Sequence, residues 1–182
     1  MEEFNGAVSH VLVSSEEIDE ITTRLAAKIS KDFEGKNLVL LGILKGSVPF
    51  MSDLMRKISL PAELEFMKVS SYGAGTVSSG NLNIHLDVLR EGLENCDILV
   101  IEDIIDSGRT LKMVVSHLYE KGARSVKTCT LLDKPSRREV DFTPDYVGKE
   151  VPDYFVVGYG LDFDEKFRTL PYVGIPDFAF NK

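Results

Sequence analysis

The sequence predicts an α/β protein with a mostly parallel sheet flanked by helices. Three observations carry this. Short apolar runs at 38–44 and 98–101 are continuous rather than alternating, the pattern of strands buried on both faces, and 126–132 reads as another apolar strand. Segments with apolar residues at helical spacing separate them. Small polar turns join strand ends directly to helix starts, so the chain reads as βα units with right-handed crossovers.

The elements follow in order. His10, Val11, Leu12 and Val13 read as a short strand, and Ser14 with Glu17 three residues on forms a capping box. Ile18, Ile21, Leu25 and Ile29 give the helix one apolar face, ending near Gly35. Strand 38–44 runs into Lys45, Gly46 and Ser47. Pro49 then suits a first helical turn, and Phe50, Leu54 and Ile58 face inward. Residues 63–69 and 82–87 alternate as strands do. The Gly- and Ser-rich stretch 70–80 between them lacks an apolar period and reads as a mobile loop. After strand 98–101, Leu111, Val114, Val115 and Leu118 define another helix, which Gly122 ends. Strand 126–132 follows, then a polar stretch, 133–152, expected to be irregular. Residues 154–160 read as a last apolar strand, and the segments beyond 133 are expected to form a small cap with the N-terminal strand.

At 182 residues, with 43% hydrophobic and 27% charged residues, the chain has ordinary globular composition for one domain. The net charge of −8 argues against a nucleic-acid-binding surface. Cys96 and Cys129 are too few for a disulfide scaffold and lack metal-ligand spacing, which suits a reducing cytoplasm. No apolar run reaches ~18 residues, so no membrane partner is expected. His10, His85 and His117 match no triad or metal spacing.

The chemistry concentrates at 97–111. Glu102 and Asp103 stand where the buried strand should end, and Asp106, Ser107, Gly108, Arg109 and Thr110 form a polar turn at a helix start. Unpaired N–H groups and the helix dipole favour an anion there. Gly108 allows close backbone approach, and Ser107 and Thr110 add hydroxyl donors. The three acids would repel a bare phosphate. A phosphorylated sugar resolves the conflict, its hydroxyls or a hydroxyl-bound Mg²⁺ meeting the carboxylates and its phosphate meeting the turn. The site lies at the sheet edge where open α/β folds bind ligands. Leu44, Lys45, Gly46 and Ser47 form a second candidate anion loop, although alone they read as readily as an ordinary βα turn.

The run from Val100 to Thr110 resembles the phosphoribosyl pyrophosphate (PRPP) motif of type I phosphoribosyltransferases. Its Ile104-Ile105 pair between the acids is the form seen in the hypoxanthine-guanine members. The resemblance covers nearly the whole chain, from the first helix to Arg168. It implies a single phosphoribosyltransferase domain over 1–182, with a hood from about 1–13 and 133–182 and a flexible lid over about 70–81. Ser71 and Tyr72 match the lid dipeptide. Leu44, Lys45 and Gly46 match the pyrophosphate loop, where the peptide before the lysine is often cis. Ser47 replaces a more usual second glycine, which requires a position with no need of φ > 0. Arg168 resembles the arginine that reaches the pyrophosphate.

The same resemblance assigns Lys134, which alone reads as a solvated charge, to the 6-oxo group of a purine. Phe155 would stack on the base, Val156 would bond it through backbone, and Asp162 would hold Mg²⁺ and water. Glu102 and Asp103 would bind ribose hydroxyls or Mg²⁺, Asp106 would act as general base, and Asp106 to Thr110 would hold the 5′-phosphate. The implied reaction is purine salvage, with PRPP and hypoxanthine or guanine as substrates, Mg²⁺ as cofactor and a homodimer or homotetramer as the assembly. The rivals are a xanthine- or guanine-preferring transferase and a non-catalytic PRPP- or nucleotide-sensing regulator. A Rossmann dehydrogenase is excluded by the lack of G-x-G-x-x-G after the first strand.

Overall fold

A computed structural model describes residues 8–71 and 82–177. The elements run Val8–Val13 (β1), Ser15–Asp32 (α1), Leu38–Ile43 (β2), Val48–Lys57 (α2), Ala62–Ser71 (β3), Leu82–Leu86 (β4), Asp97–Ile105 (β5), Arg109–Glu120 (α3), Ser125–Asp133 (β6), Tyr146–Glu150 (β7) and Val173–Pro176 (β8). Six strands form one sheet in the order β4-β3-β2-β5-β6-β7, parallel except for the antiparallel edge strand β4. Strands β1 and β8 pair antiparallel in a separate two-stranded sheet.

The helices start and stop where local chemistry dictates. Ser14 Oγ accepts from the Glu17 N–H at 3.2 Å, capping α1, and Gly35 takes a left-handed φ of +73° just beyond the end. Pro49 lies in the first turn of α2. The continuous apolar strands do bury both faces. Leu38, Leu40, Leu99 and Ile101 pack with α1 and α2, while Val39, Leu41, Ile98 and Val100 pack with α3. Each such side chain contributes roughly 1.5–3 kcal/mol of burial, so this two-sided core fixes the register that brings the ends of β2, β5 and β6 to one edge.

Two expectations are corrected. Stretch 133–152 is not wholly irregular: Tyr146–Glu150 joins the main sheet beside β6, so residues 146–150 of the expected hood belong to the sheet. Its polar sequence is that of an edge strand. Gly148 sits where an added Cβ would lie 2.3 Å from the Leu131 carbonyl oxygen. Nor is 154–160 a strand. Gly158, Tyr159 and Gly160 have φ of +96°, +49° and +100°, which no extended run tolerates. Val157 is apolar because it is buried with Phe167 and Leu170 in a small hood core, bridged to Gly174. The second hood strand is instead β8.

Tyr72 and residues up to 81 of the expected lid lie outside the described residues, and Ser71 ends β3. No helix among the described residues is long and apolar enough to cross a membrane.

Candidate active site

Three loops meet at the C-terminal edge of the parallel strands, with the hood chain against them. After β2, the Leu44–Lys45 peptide is cis. Ser47 adopts φ −67°, so serine fits, and its buried hydroxyl donates to the Ile43 carbonyl at 2.6 Å. Gly46 has no freedom to be anything else. A Cβ there would sit 1.6 Å from Asp103 Oδ2, and one on Gly160 would sit 1.9 Å from the Gly46 carbonyl oxygen. The β2 loop is thus sandwiched between the acidic end of β5 and the hood.

At the end of β5, Glu102 Oε2 is buried with no hydrogen-bond partner among the described residues. Burial, and then the charge of Asp103, push the Glu102 carboxyl well above its ordinary range. Burial also pushes Asp103 up to about 6. Backbone N–H groups, that of Ile104 at 2.8 Å included, and the Arg168 charge oppose the shift, while Asp162 adds to it. These carboxylates are costly to hold charged in the free chain, the condition in which a cation or sugar hydroxyls bind well.

Beyond them the chain turns sharply into α3. Gly108, at the N-cap, has φ +79° and brings no side-chain hydrogen bond to the helix. Ser107 Oγ accepts from the first of the helix N–H groups, that of Arg109, at 3.3 Å, and a first turn whose N-cap is glycine can receive an anion. Asp106 is half-exposed, and Lys134, at the end of β6, is buried with Nζ 3.5 Å from Asp106 Oδ1 and 3.9 Å from Asp153 Oδ1. A buried ammonium so placed offers donors into the site while two carboxylates offset its charge.

The hood supplies the remaining wall. Phe155 is half-exposed and meets Phe163 edge-on at 5.8 Å between ring centroids, while Val156 is buried. Arg168 donates to the Gly160 carbonyl at 2.7 Å and pairs with Asp162 at 2.9 Å. Lys45, Glu165 and Arg168 form a chain of ion pairs, Lys45 to Glu165 at 2.8 Å and Arg168 to Glu165 at 3.4 Å. The expected residues so gather in two groups, Lys134 with Asp106, and Gly46 with Asp103, Asp162 and Arg168. Phe155 is on the hood beside Phe163, and Val156 packs into the main core.

A phosphoribosyl transferase domain matches residues 14–164. The chain belongs to the phosphoribosyltransferase family. It is 48% identical over 167 residues to a hypoxanthine-guanine phosphoribosyltransferase of Staphylococcus aureus, covering 92% of this chain and 93% of that protein. It is 49% identical over 174 residues to the bifunctional protein TilS/HprT of Listeria monocytogenes. That match takes in 96% of this chain but only 27% of that protein, so the chain spans about a quarter of its length. A crystal structure of a hypoxanthine phosphoribosyltransferase from Staphylococcus aureus superposes with a TM-score of 0.93 at 44% identity, covering 99% of this chain and 97% of that one. A hypoxanthine-guanine phosphoribosyltransferase from Bacillus anthracis superposes with a TM-score of 0.85 at 38% identity, covering 93% and 98%. The sheet and hood described above are accordingly the type I phosphoribosyltransferase fold.

Sequence reasoning missed one support of the turn before α3. Arg138 donates to the Asp106 carbonyl at 2.5 Å, pairs with Asp133, and lays its stem where a Cβ on Gly108 would come within 2.9 Å. The Glu139 N–H donates to the Ser107 carbonyl at 3.0 Å, and Arg109 pairs with Glu139 at 2.7 Å. Segment 134–142, read as loose polar chain, is the cradle that holds the turn in shape. Nothing local in its sequence announces contacts made some 30 residues back.

Proposed function

We propose that this chain transfers the 5-phosphoribosyl group from PRPP to N9 of hypoxanthine or guanine, giving the nucleotide and pyrophosphate. The observation that carries this reading is buried Lys134 beside Asp106, at the turn into α3, whose N-cap is Gly108. A donor-only group suits a 6-oxopurine, a carboxylate next to it suits a purine proton, and the turn suits a phosphate.

In this reading the 5′-phosphate sits on Asp106, Ser107, Gly108, Arg109 and Thr110. The ribose hydroxyls meet Glu102 and Asp103, and the pyrophosphate meets Leu44, Lys45, Gly46 and Arg168. The bond from ribose C1 to the pyrophosphate oxygen breaks with its electron pair leaving on that oxygen. Lys45, Arg168 and the loop amides stabilise the negative charge that develops there. Purine N9 supplies the pair for the new bond to C1, and Asp106 takes the displaced purine proton. Phe155 covers one face of the base and Val156 bonds it through backbone.

The carboxylates fit Mg²⁺ as a partner of the substrate rather than a resident ion. Glu102 Oε2 is buried and unpartnered, yet among the described residues no three His, Cys, Asp or Glu side chains converge on a point. Glu102 and Asp103 would hold it with the ribose oxygens, and Asp162 through water, with the rest of its shell from substrate. When bound it supplies positive charge against the leaving pyrophosphate. The same proposal places the enzyme in the cytoplasm as a homodimer or homotetramer. Exposed Val48, Met55, Leu64 and Phe66 on α2 and β3 support an assembly, which light scattering would measure.

The test is a steady-state assay of purified chain with PRPP, Mg²⁺ and hypoxanthine, following nucleotide and pyrophosphate in equal amounts. Pyrophosphate released without nucleotide, or no turnover, would overturn the reading.

A further inference from the structure

One oxygen of Glu165 bridges the two cations of the hood wall. Its Oε2 lies 2.8 Å from Lys45 Nζ and 3.4 Å from Arg168 Nη2, joining the β2 loop to a hood turn 120 residues away. That turn is tight: the Phe163 and Lys166 backbones exchange hydrogen bonds of 3.2 and 3.0 Å. Asp164 and Glu165 occupy its two central positions at φ +51° and +61°. Such positions favour Gly, Asn or Asp, so turn geometry does not explain a glutamate at 165. The turn is further tied down by the Glu165 N–H, which donates to Asp162 Oδ2 at 2.9 Å. The side chain so held reaches the only place where both cations meet one acceptor among the described contacts.

We propose that Glu165 is an internal competitor for the pyrophosphate group, a carboxylate that holds Lys45 and Arg168 in the free chain and must release both when pyrophosphate or PRPP enters. This rests on the reading of Lys45 and Arg168 as pyrophosphate ligands. With Glu165 in place the two cations are preset in position but already neutralised, together with Asp162. Pyrophosphate must break two ion pairs on entry, and their return assists its departure. The pairs are solvent-exposed, Glu165 at 64% and Lys45 at 51%, so each is weak. A weak competitor suits a site that must empty after every turnover. The released carboxylate stays on a turn in direct contact with the site, so it adds like-charge repulsion against the bound anion.

The test is calorimetric titration of the full chain with inorganic pyrophosphate and Mg²⁺. Glu165→Gln keeps the side-chain shape and removes the charge, and should bind pyrophosphate roughly threefold to tenfold more tightly, the range expected for losing weak exposed pairs. Its product-inhibition constant for pyrophosphate should fall by the same factor. Glu165→Ala should move in the same direction, and Asp164→Asn, which removes an equal charge from the adjacent turn position, should have a clearly smaller effect. Unchanged or weaker binding by Glu165→Gln, or an equal gain by Asp164→Asn, would overturn the proposal. Lys45→Ala and Arg168→Ala separate its failure from that of the underlying reading. If they weaken pyrophosphate binding while Glu165→Gln does not tighten it, only the competitor role falls. If they leave binding unchanged, both fall.

Discussion

Replacing Asp103 by Asn should stabilise the free protein while removing its activity. Burial raises the Asp103 carboxyl from its ordinary 3.8 to about 6, so its charged form costs up to about 3 kcal/mol more in the fold than in the unfolded chain. The side chain keeps partial exposure, and solvent screening lowers the recoverable amount to roughly 1–2 kcal/mol. Asn preserves the acceptor for the Ile104 N–H at 2.8 Å and the size that fits against Gly46. The sign follows from which state releases the proton first. Between about pH 4 and 6 the unfolded chain is already deprotonated and the folded chain is not, so stability falls as pH rises through this window. The advantage of Asp103→Asn is therefore full above pH 6 and vanishes towards pH 4. At roughly 2–4 °C per kcal/mol for a chain of this size, the melting temperature should rise roughly 2–8 °C at pH 8. Scanning calorimetry of both proteins with a chelator, at pH 8 and pH 4.5, makes the comparison. An equal or lower melting temperature at pH 8, or a gain that is the same at both pH values, would refute the reasoning.

Asp106→Asn should lower turnover by ~10²–10⁴-fold with little change in PRPP affinity; near-normal kcat would remove Asp106 from the proton transfer. Gly108→Val must place a branched side chain at φ +79° against the Arg138 stem, 2.9 Å from the new Cβ. Calorimetry should show PRPP binding at least ~10-fold weaker and purine binding far less affected, and unchanged PRPP affinity in a folded variant would place the phosphate elsewhere. Lys134→Gln, whose amide can present either a donor or an acceptor, should cut kcat/KM on hypoxanthine and narrow the gap to adenine; an unchanged ratio would free Lys134 from base recognition.

The central unit was legible because its signals are local. Ile98 to Ile101 is apolar at every position, and Leu111, Val114 and Leu118 keep helical spacing. The turn between them needs glycine at a φ of +79°, so strand, turn and helix all follow from neighbours in sequence. Strand β7 was not legible, since an edge strand with one covered face carries Val147 and Lys149 with equal ease. Residues 154–160 misled for the opposite reason: Val157 is apolar to fill the hood and Val156 to pack into the main core, neither to extend a sheet, and three left-handed residues follow them. Within the site, the acids announced themselves by following the apolar run Ile98 to Ile101, although β5 continues through them to Ile105, and the turn by its small polar residues at a helix start. The Arg138 bond to the Asp106 carbonyl and the Glu165 bridge to Lys45 could not, because each joins residues 32 and 120 apart through tertiary contact alone.

The most direct measurement offers wild-type chain, PRPP and Mg²⁺ to hypoxanthine, guanine, xanthine and adenine separately and compares kcat/KM. Lys134 can give hydrogen bonds but not accept them, so adenine's 6-amino group would face a buried donor with no acceptor between them. Sites of this kind reject such near-isosteres by roughly 10⁴-fold. Hypoxanthine and guanine should both form nucleotide efficiently, with adenine lower by about that factor. Adenine used as well as hypoxanthine would contradict the assignment of Lys134, and with it the 6-oxopurine reading of the site.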